Sequence, residues 1–185
     1  SIDFDIKPGE VHAIIGENGA GKSTLIKILS GIEQPTSGTI SYDGQTVILP
    51  PNGQAEAMGI VLNHQELNLA EHLTVAASIF LGRELKKFGF LDVAEMRRRA
   101  VAGVEMLHVH VDPDARINTL SVADKQMVEI AKAISRDARV LIMDEPTAVL
   151  SVGETQTLFE QIRRLTARGV AVIFISHKLD EIMEL

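Results

Sequence analysis

Apolar and polar residues alternate along this chain in two patterns, which predict where strands and helices lie. Apolar runs at residues 140–143 and 170–175, and the run at 11–15 with His12 inside it, are typical of strands buried on both faces of a parallel sheet. Apolar residues recur at helical spacing after Gly21. They do so again at Leu158, Ile162 and Leu165, in a helix predicted to be capped by Ser151 and Glu154 and to end at Gly169. Strands and helices in this order predict an α/β fold with a parallel-sheet core.

Shorter elements fill the first third of the chain. Ile2, Phe4 and Ile6 alternate with polar residues, which predicts a half-buried strand that stops at Lys7-Pro8-Gly9. Asp43-Gly44 joins two β-prone runs at 38–42 and 45–48, and therefore predicts an antiparallel hairpin. A Pro-rich break at 50–52 precedes a short helix predicted at 54–58 and a strand predicted at 59–62.

From about residue 67 to residue 119 the pattern changes to helices without buried strands. Asp92 has the character of a helix cap, with Met96, Ala100, Val104 and Leu107 following at helical spacing. With the helix that Ser121 opens, this predicts a helical insert at about 67–134 within one domain of residues 1–185. Because the pattern begins in a strand and ends in a helix, we expect a domain trimmed at both ends.

Residues 16–23 match the phosphate-binding loop G-x-x-x-x-G-K-[ST] at every fixed position, between a predicted strand and a predicted helix. Its glycines let backbone N–H groups turn toward an anion, and the positive end of the helix favours a polyphosphate. Lys22 would reach the β- and γ-phosphates and the Ser23 hydroxyl would bind Mg²⁺. A chance glycine-rich turn is the alternative, which the flanking elements disfavour. The predicted ATP-binding residues here are Gly16, Glu17, Asn18, Gly19, Ala20, Gly21, Lys22, Ser23 and Thr24.

Two carboxylates, Asp144 and Glu145, follow the apolar run at 140–143. Ligands bind beyond the carboxyl ends of parallel strands, so we expect both acids beside the phosphate loop. Asp144 is the predicted Mg²⁺ partner, and Glu145 is the predicted base for the attacking water. His177 ends the next strand; a lone histidine there is more often structural, but this one lies where the γ-phosphate is expected.

Two further clusters have simpler interpretations than a site. Arg97-Arg98-Arg99 could grip a phosphate or a partner, but a charge run on a helix is more often a solvated face. His108 and His110 near Asp112 could bind a metal, but alternating His and Val more often mark a short extended segment.

Composition narrows the class of protein. The 185 residues carry a formal net charge of −7 and contain no cysteine, which argues against nucleic acid as the main partner and excludes disulfides. No apolar run approaches the roughly 18 residues that span a bilayer, and no signal peptide is recognisable. If a membrane is involved, we expect another chain to cross it.

Five motifs occur in the order of an ABC transporter ATP-binding domain, which this chain resembles over essentially its whole length. They are the loop at 16–23, His64-Gln65-Glu66-Leu67, the segment 120–126, Asp144-Glu145-Pro146-Thr147, and Ser176-His177-Lys178. Residues 63–67, 73–75, 80–84 and 126–133 look most like the sugar-importer branch.

The resemblance implies roles for further residues and for partners. Gln65 would sense Mg²⁺ and the membrane subunit, His177 would contact the γ-phosphate, and Ser121 would open a signature helix that closes on the ATP of a second ATP-binding domain. It implies ATP hydrolysis that powers import of a sugar or similar solute, with permease subunits, a solute-binding protein and a peripheral position on the cytoplasmic side of the inner membrane.

The signature departs from the family's usual Leu-Ser-Gly-Gly-Gln, because Val122, Ala123 and Asp124 occupy its last three positions. Added Cβ atoms and an acid there would weaken the partner's ATP site, unless the helix end shifts slightly and accommodates the methyl groups. Alternatives to a sugar importer are an importer for other solutes such as nucleosides, a soluble ABC protein of repair or translation, and a non-hydrolysing nucleotide-binding module.

Overall fold

The structure, a computed structural model, describes residues 2–17, 19–49, 54–63, 69–107, 109 and 111–185. The chain divides into two compact units. The first comprises Ser1–Leu62, Ala138–Glu145 and Leu165–Leu185, and the second comprises Asn63–Asp137 and Pro146–Arg164.

The first unit is organised around a four-stranded sheet of β1 (Val11–Ile15), β4 (Ile60–Asn63), β7 (Val140–Asp144) and β8 (Ala171–Ser176). The strand order is β1-β8-β7-β4, and β8 runs parallel to both β1 and β7. Continuous burial of β8 agrees with its apolar residues at 171–175. The predicted α/β fold with a parallel core is therefore confirmed.

Helix α1 (Lys22–Leu29) follows β1, as predicted, and contributes Ile26 to the core of the first unit. The hairpin of β2 (Ile40–Tyr42) and β3 (Gln45–Val47) is also confirmed, with Asp43 and Gly44 both at positive φ. The Tyr42 hydroxyl donates to the Met58 carbonyl at 2.6 Å, and Arg139 donates to both carboxylate oxygens of Asp43. Short helices α2 (Gln54–Ala57) and α7 (Leu179–Glu184) complete this unit.

The predicted first strand is wrong, because residues 2–6 belong to no strand. A strand needs the edge of a neighbour to pair with its N–H and C=O groups, and none of the described strands pairs there. Ile2 is exposed, and the Phe4 ring stacks on the His12 ring with centroids 4.9 Å apart. The alternation of apolar and polar residues at 2–6 therefore did not show whether a neighbouring strand was available for pairing.

The second unit is mainly helical, with α3 (Val75–Ile79), α4 (Val93–Met106) and α5 (Val122–Ser135) in mutual contact. A 3-10 turn at Ile117–Thr119 precedes α5. Asp92 caps α4 by accepting from the Glu95 N–H at 3.0 Å, as predicted. The apolar positions predicted on α4 are all buried: Met96, Ala100, Val104 and Leu107.

An exposed hairpin of β5 (Lys86–Lys87) and β6 (Phe90–Leu91) lies between α3 and α4. Sequence reasoning did not predict it, because the strands have two residues each and bury no apolar face.

Helix α6 (Val152–Ala167) begins and ends as its sequence predicts. Ser151 and Glu154 form a reciprocal cap, in which the Ser151 N–H donates to the Glu154 carboxylate at 2.7 Å. Leu158, Ile162 and Leu165 are buried. The chain then reverses at Gly169, whose φ of 90° favours glycine.

Candidate active site

Three strands of the first unit end at the same level of the sheet. Ile15 lies opposite Ser176, and Asp144 lies opposite Ile175. The residues that follow these strands are Gly16, Glu145 and His177, so the phosphate loop, the second acid and the histidine begin at one edge. This is the edge at which parallel sheets bind ligands.

The loop leads directly into α1. Gly19 and Gly21 adopt φ of 86° and 93°, a region that residues with a Cβ rarely occupy, and Gly21 is the N-cap of α1. No acidic residue lies in the first turn of α1, so its positive end is not offset locally. The Lys22 ammonium donates to the Gly16 carbonyl and, at 3.1 Å, to the Glu17 carbonyl. These features fit a site for a polyphosphate with a lysine over the loop.

Glu145 and His177 are in direct contact. The Nδ1 atom of His177 lies 3.0 Å from Oε1 of Glu145, and the Glu145 side chain is 17% exposed against 53% for His177. Glu145 has a φ of 46°, which a residue with a long side chain seldom adopts, and its N–H donates to the Ile175 carbonyl at 2.9 Å. The backbone of Glu145 is thus bonded to β8 in a locally strained conformation.

The turn that carries His177 is fixed by its neighbours. The Ser176 hydroxyl donates to Glu181 at 3.1 Å and accepts from the Lys178 N–H at 3.0 Å. The Lys178 ammonium donates to the other Glu181 oxygen at 2.9 Å. One carboxylate on α7 therefore contacts the residues on both sides of His177, an arrangement that sequence reasoning missed because Glu181 belongs to no motif.

Ser23 and Asp144 supply oxygen donors of the kind that Mg²⁺ prefers, on the second residue of α1 and the last residue of β7. Across the described residues, no group of three or more His, Asp and Glu side chains is placed to hold a metal by itself. Mg²⁺ is commonly bound by one or two protein ligands together with substrate phosphates, so Ser23 and Asp144 are the candidate residues of this kind.

Some predicted residues lie outside the described part of the chain, namely Asn18, Gln65, His108 and His110. The three arginines of α4 lie in the second unit and are exposed. Arg97 pairs with Asp114 at 2.6 Å, while Arg98 and Arg99 both pair with Glu95. This agrees with the interpretation of a solvated helix face.

Ser121 is the N-cap of α5 in the second unit, as predicted. Its hydroxyl accepts from the Asp124 N–H at 3.1 Å and donates to the Asp124 carboxylate at 2.7 Å. The first turn of α5, which includes Val122 and Ala123, therefore contains a carboxylate, that of Asp124. Spacing could have revealed this contact, because serine followed three residues later by an acid is a capping pattern.

A parallel sheet with the sequence G-x-x-x-x-G-K-S between its first strand and first helix defines a phosphate-loop nucleotide-binding fold. Within the described residues, no helix has the length and apolar character needed to cross a membrane. The sequence profile of the ABC transporter family matches residues 1–148, and the chain belongs to that family.

Relatives and solved structures agree with this assignment. The chain is 53% identical to the ribose import ATP-binding protein RbsA 1 of Rubrobacter xylanophilus over 100% of its length, and covers 37% of that protein. It is 49% identical to the ribose import ATP-binding protein RbsA of Corynebacterium glutamicum, with 98% of this chain and 34% of that protein covered. The chain thus spans little more than a third of these relatives.

The fold matches the ADP conformation of an ATP-binding cassette of an ABC transporter, with a TM-score of 0.82 and 26% identity. That match covers 97% of this chain and 74% of the cassette.

Proposed function

We propose that this chain is an ATP-binding and ATP-hydrolysing domain that powers import of ribose or a similar small sugar. The observation that carries the hydrolytic part is the 3.0 Å contact between His177 and Glu145 at the sheet edge where the phosphate loop begins. The names of relatives at 53% and 49% identity support ribose as the solute class.

In the proposed reaction, the loop amides and the N-terminus of α1 bind the phosphates of ATP, and Lys22 exchanges its carbonyl partners for phosphate oxygens. The Glu145 carboxylate accepts the proton of the attacking water, and His177 holds that carboxylate in place. Mg²⁺, when bound, would neutralise charge on the phosphates, with Ser23, Asp144 and Gln65 as the residues to hold it.

The proposed assembly has several members. A second ATP-binding domain would complete each ATP site. Permease subunits would form the solute path across the membrane, and this domain would lie on the cytoplasmic side of that membrane. A solute-binding protein would deliver the sugar. We propose that residues 1–185 form one ATP-binding domain with a helical insert at about 67–134, and that Ser121, Val122, Ala123 and Asp124 face the partner's ATP.

The test uses the full-length protein and its Lys22→Ala variant. We expect Lys22→Ala to abolish MgATP binding in calorimetry and ribose uptake in cells, because the loop loses its only lysine. Lys27→Ala is the matched control, since Lys27 lies on the same helix and pairs with Glu33 at 3.0 Å. Unchanged ATP affinity in Lys22→Ala would refute the proposed ATP-binding site. ATPase activity of the wild-type protein without uptake of any pentose or hexose would refute a sugar as the transported solute.

A further inference from the structure

The turn at residues 176–178, which carries His177, is closed by a ring of hydrogen bonds. The Ser176 hydroxyl accepts from the Lys178 N–H at 3.0 Å and donates to Oε2 of Glu181 at 3.1 Å. The Lys178 ammonium donates to Oε1 of the same carboxylate at 2.9 Å, which closes the ring. Because His177 lies between Ser176 and Lys178 in the sequence, the ring fixes the backbone on both sides of it.

This ring ties the turn to the sheet. Ser176 lies opposite Ile15 in the pairing of β8 with β1, whereas Lys178 lies beyond the end of β8. Ser176 is only 2% exposed and the Glu181 side chain only 13%. Water competes little for hydrogen bonds between groups that are so nearly buried, so these bonds restrain geometry better than an exposed ion pair does. The Glu181 carboxylate therefore restrains a segment that the strand pairing no longer holds.

The stability of helix α7 does not account for these bonds. Lys178 is the N-cap residue of α7 and makes no side-chain cap, and the Ser176 hydroxyl accepts from Lys178 rather than from an N–H of the first turn. A carboxylate in the first turn stabilises a helix, but Asp180 supplies one as well as Glu181. Helix α7 buries none of its residues. The bonds of Glu181 thus serve the turn before the helix.

The contact that depends on this turn is the one between His177 and Glu145. Nδ1 of His177 lies 3.0 Å from Oε1 of Glu145, and the His177 side chain is 53% exposed, so packing alone does not hold the ring. A displacement of about 1 Å would take the two atoms beyond hydrogen-bonding distance. Misplacement of that size can lower the rate of an enzyme by roughly a hundredfold.

We propose that Glu181 is a positioning residue for ATP hydrolysis, which acts through the turn at residues 176–178 to hold His177 against Glu145. The inference rests on the proposed function, because it takes the Glu145–His177 pair as part of the hydrolytic site. Glu181 itself touches neither the nucleotide nor the attacking water in this scheme. Its loss should therefore slow hydrolysis and leave ATP affinity unchanged.

The first experiment compares Glu181→Gln with Asp180→Asn in the full-length protein. Both variants remove one carboxylate from the first turn of α7, but Asp180 is exposed and lies outside the ring. We expect Glu181→Gln to slow single-turnover phosphate release at this loop roughly tenfold to a hundredfold, at unchanged ATP affinity in calorimetry, and Asp180→Asn to match the wild type. Ser176→Ala, which removes the hydroxyl from the ring, is a second variant that should reproduce the loss.

The second experiment tests whether Glu181 acts through His177. In a His177→Ala background, Glu181→Gln should change the single-turnover rate less than about twofold, because the contact that it positions is already absent. A full additional loss in that background would overturn the proposal and indicate a general structural role. A Glu181→Gln rate equal to that of Asp180→Asn would overturn it too, while the proposed function would stand if the wild type hydrolyses ATP. A wild type that does not hydrolyse ATP would refute the proposed function, and the positioning role with it.

Discussion

Replacing Glu145 by Gln changes one carboxylate oxygen to an amide and leaves the left-handed backbone at φ 46° in place. The remaining amide oxygen can still accept from Nδ1 of His177, which lies 3.0 Å from Oε1 in the wild type. Glu145→Gln therefore removes the group that would accept a proton, with little change in the shape of the side chain.

The expected magnitude follows from that difference. A positioned general base contributes about 10²- to 10⁴-fold in rate, equivalent to about 3–5 kcal/mol of activation free energy. ATP affinity should stay equal or increase, because the substitution removes a negative charge from the sheet edge at which the phosphates are proposed to bind. The Glu145→Gln variant should thus bind ATP at least as tightly as the wild type but hydrolyse it far more slowly.

The assay measures both quantities on the full-length protein: ATP affinity by calorimetry, and phosphate release in a single turnover at this loop. His177→Ala is the informative comparison, because it removes the contact but leaves the carboxylate. If Glu145→Gln keeps more than a tenth of the wild-type single-turnover rate, Glu145 is not the base and the role would pass to another group such as His177.

Three further predictions concern residues on helices α5, α7 and α4, in that order. The triple substitution Val122→Gly, Ala123→Gly, Asp124→Gln should raise ATP turnover at the partner's site several-fold, since one helix-end contact contributes about 1 kcal/mol. Glu145→Gln is added to silence this domain's own site. An unchanged rate would contradict the proposed role of the altered signature. Glu181→Gln should lower single-turnover phosphate release while ATP affinity stays constant, because the Ser176 and Lys178 contacts weaken; equal loss of affinity would indicate a merely structural role. Arg98 and Arg99 lower the pKa of Glu95 from 4.5 to about 2, so its contribution to stability is present above pH 4.5 and lost as the pH falls through about 2. Glu95→Gln should flatten the fall in the thermal midpoint across that range, and an unchanged slope would contradict this.

Structural features that depend on residues close together in the sequence were predicted correctly. The hairpin at Asp43-Gly44, the caps at Asp92 and Ser151, and the strand before the phosphate loop are all confirmed. Each depends on residues within a few positions of one another, so neighbouring side chains are sufficient to specify the backbone.

Features that depend on distant partners were missed or wrong. The alternation at residues 2–6 predicted a strand, but a strand also needs a neighbouring edge, which the sequence does not reveal. Glu145 and His177 were both expected near the phosphate loop, but their direct contact, between residues 32 positions apart, was not predicted, and the positive φ of Glu145 has no sequence signal. The roles of the site residues stay predictions until they are measured.

The pairing of β1 with β8 joins Val11 to Val172, positions separated by most of the chain. During synthesis at about 5–20 residues per second, β1 therefore waits roughly 8–32 s before the strand that pairs with it has been made. Helices α3, α4 and α5 make contacts over shorter separations and can form while β1 still lacks its neighbour. The sheet edge that gathers the phosphate loop, Glu145 and His177 is consequently completed only after β8 has been made, and until then the apolar residues of β1 lack their sheet partner.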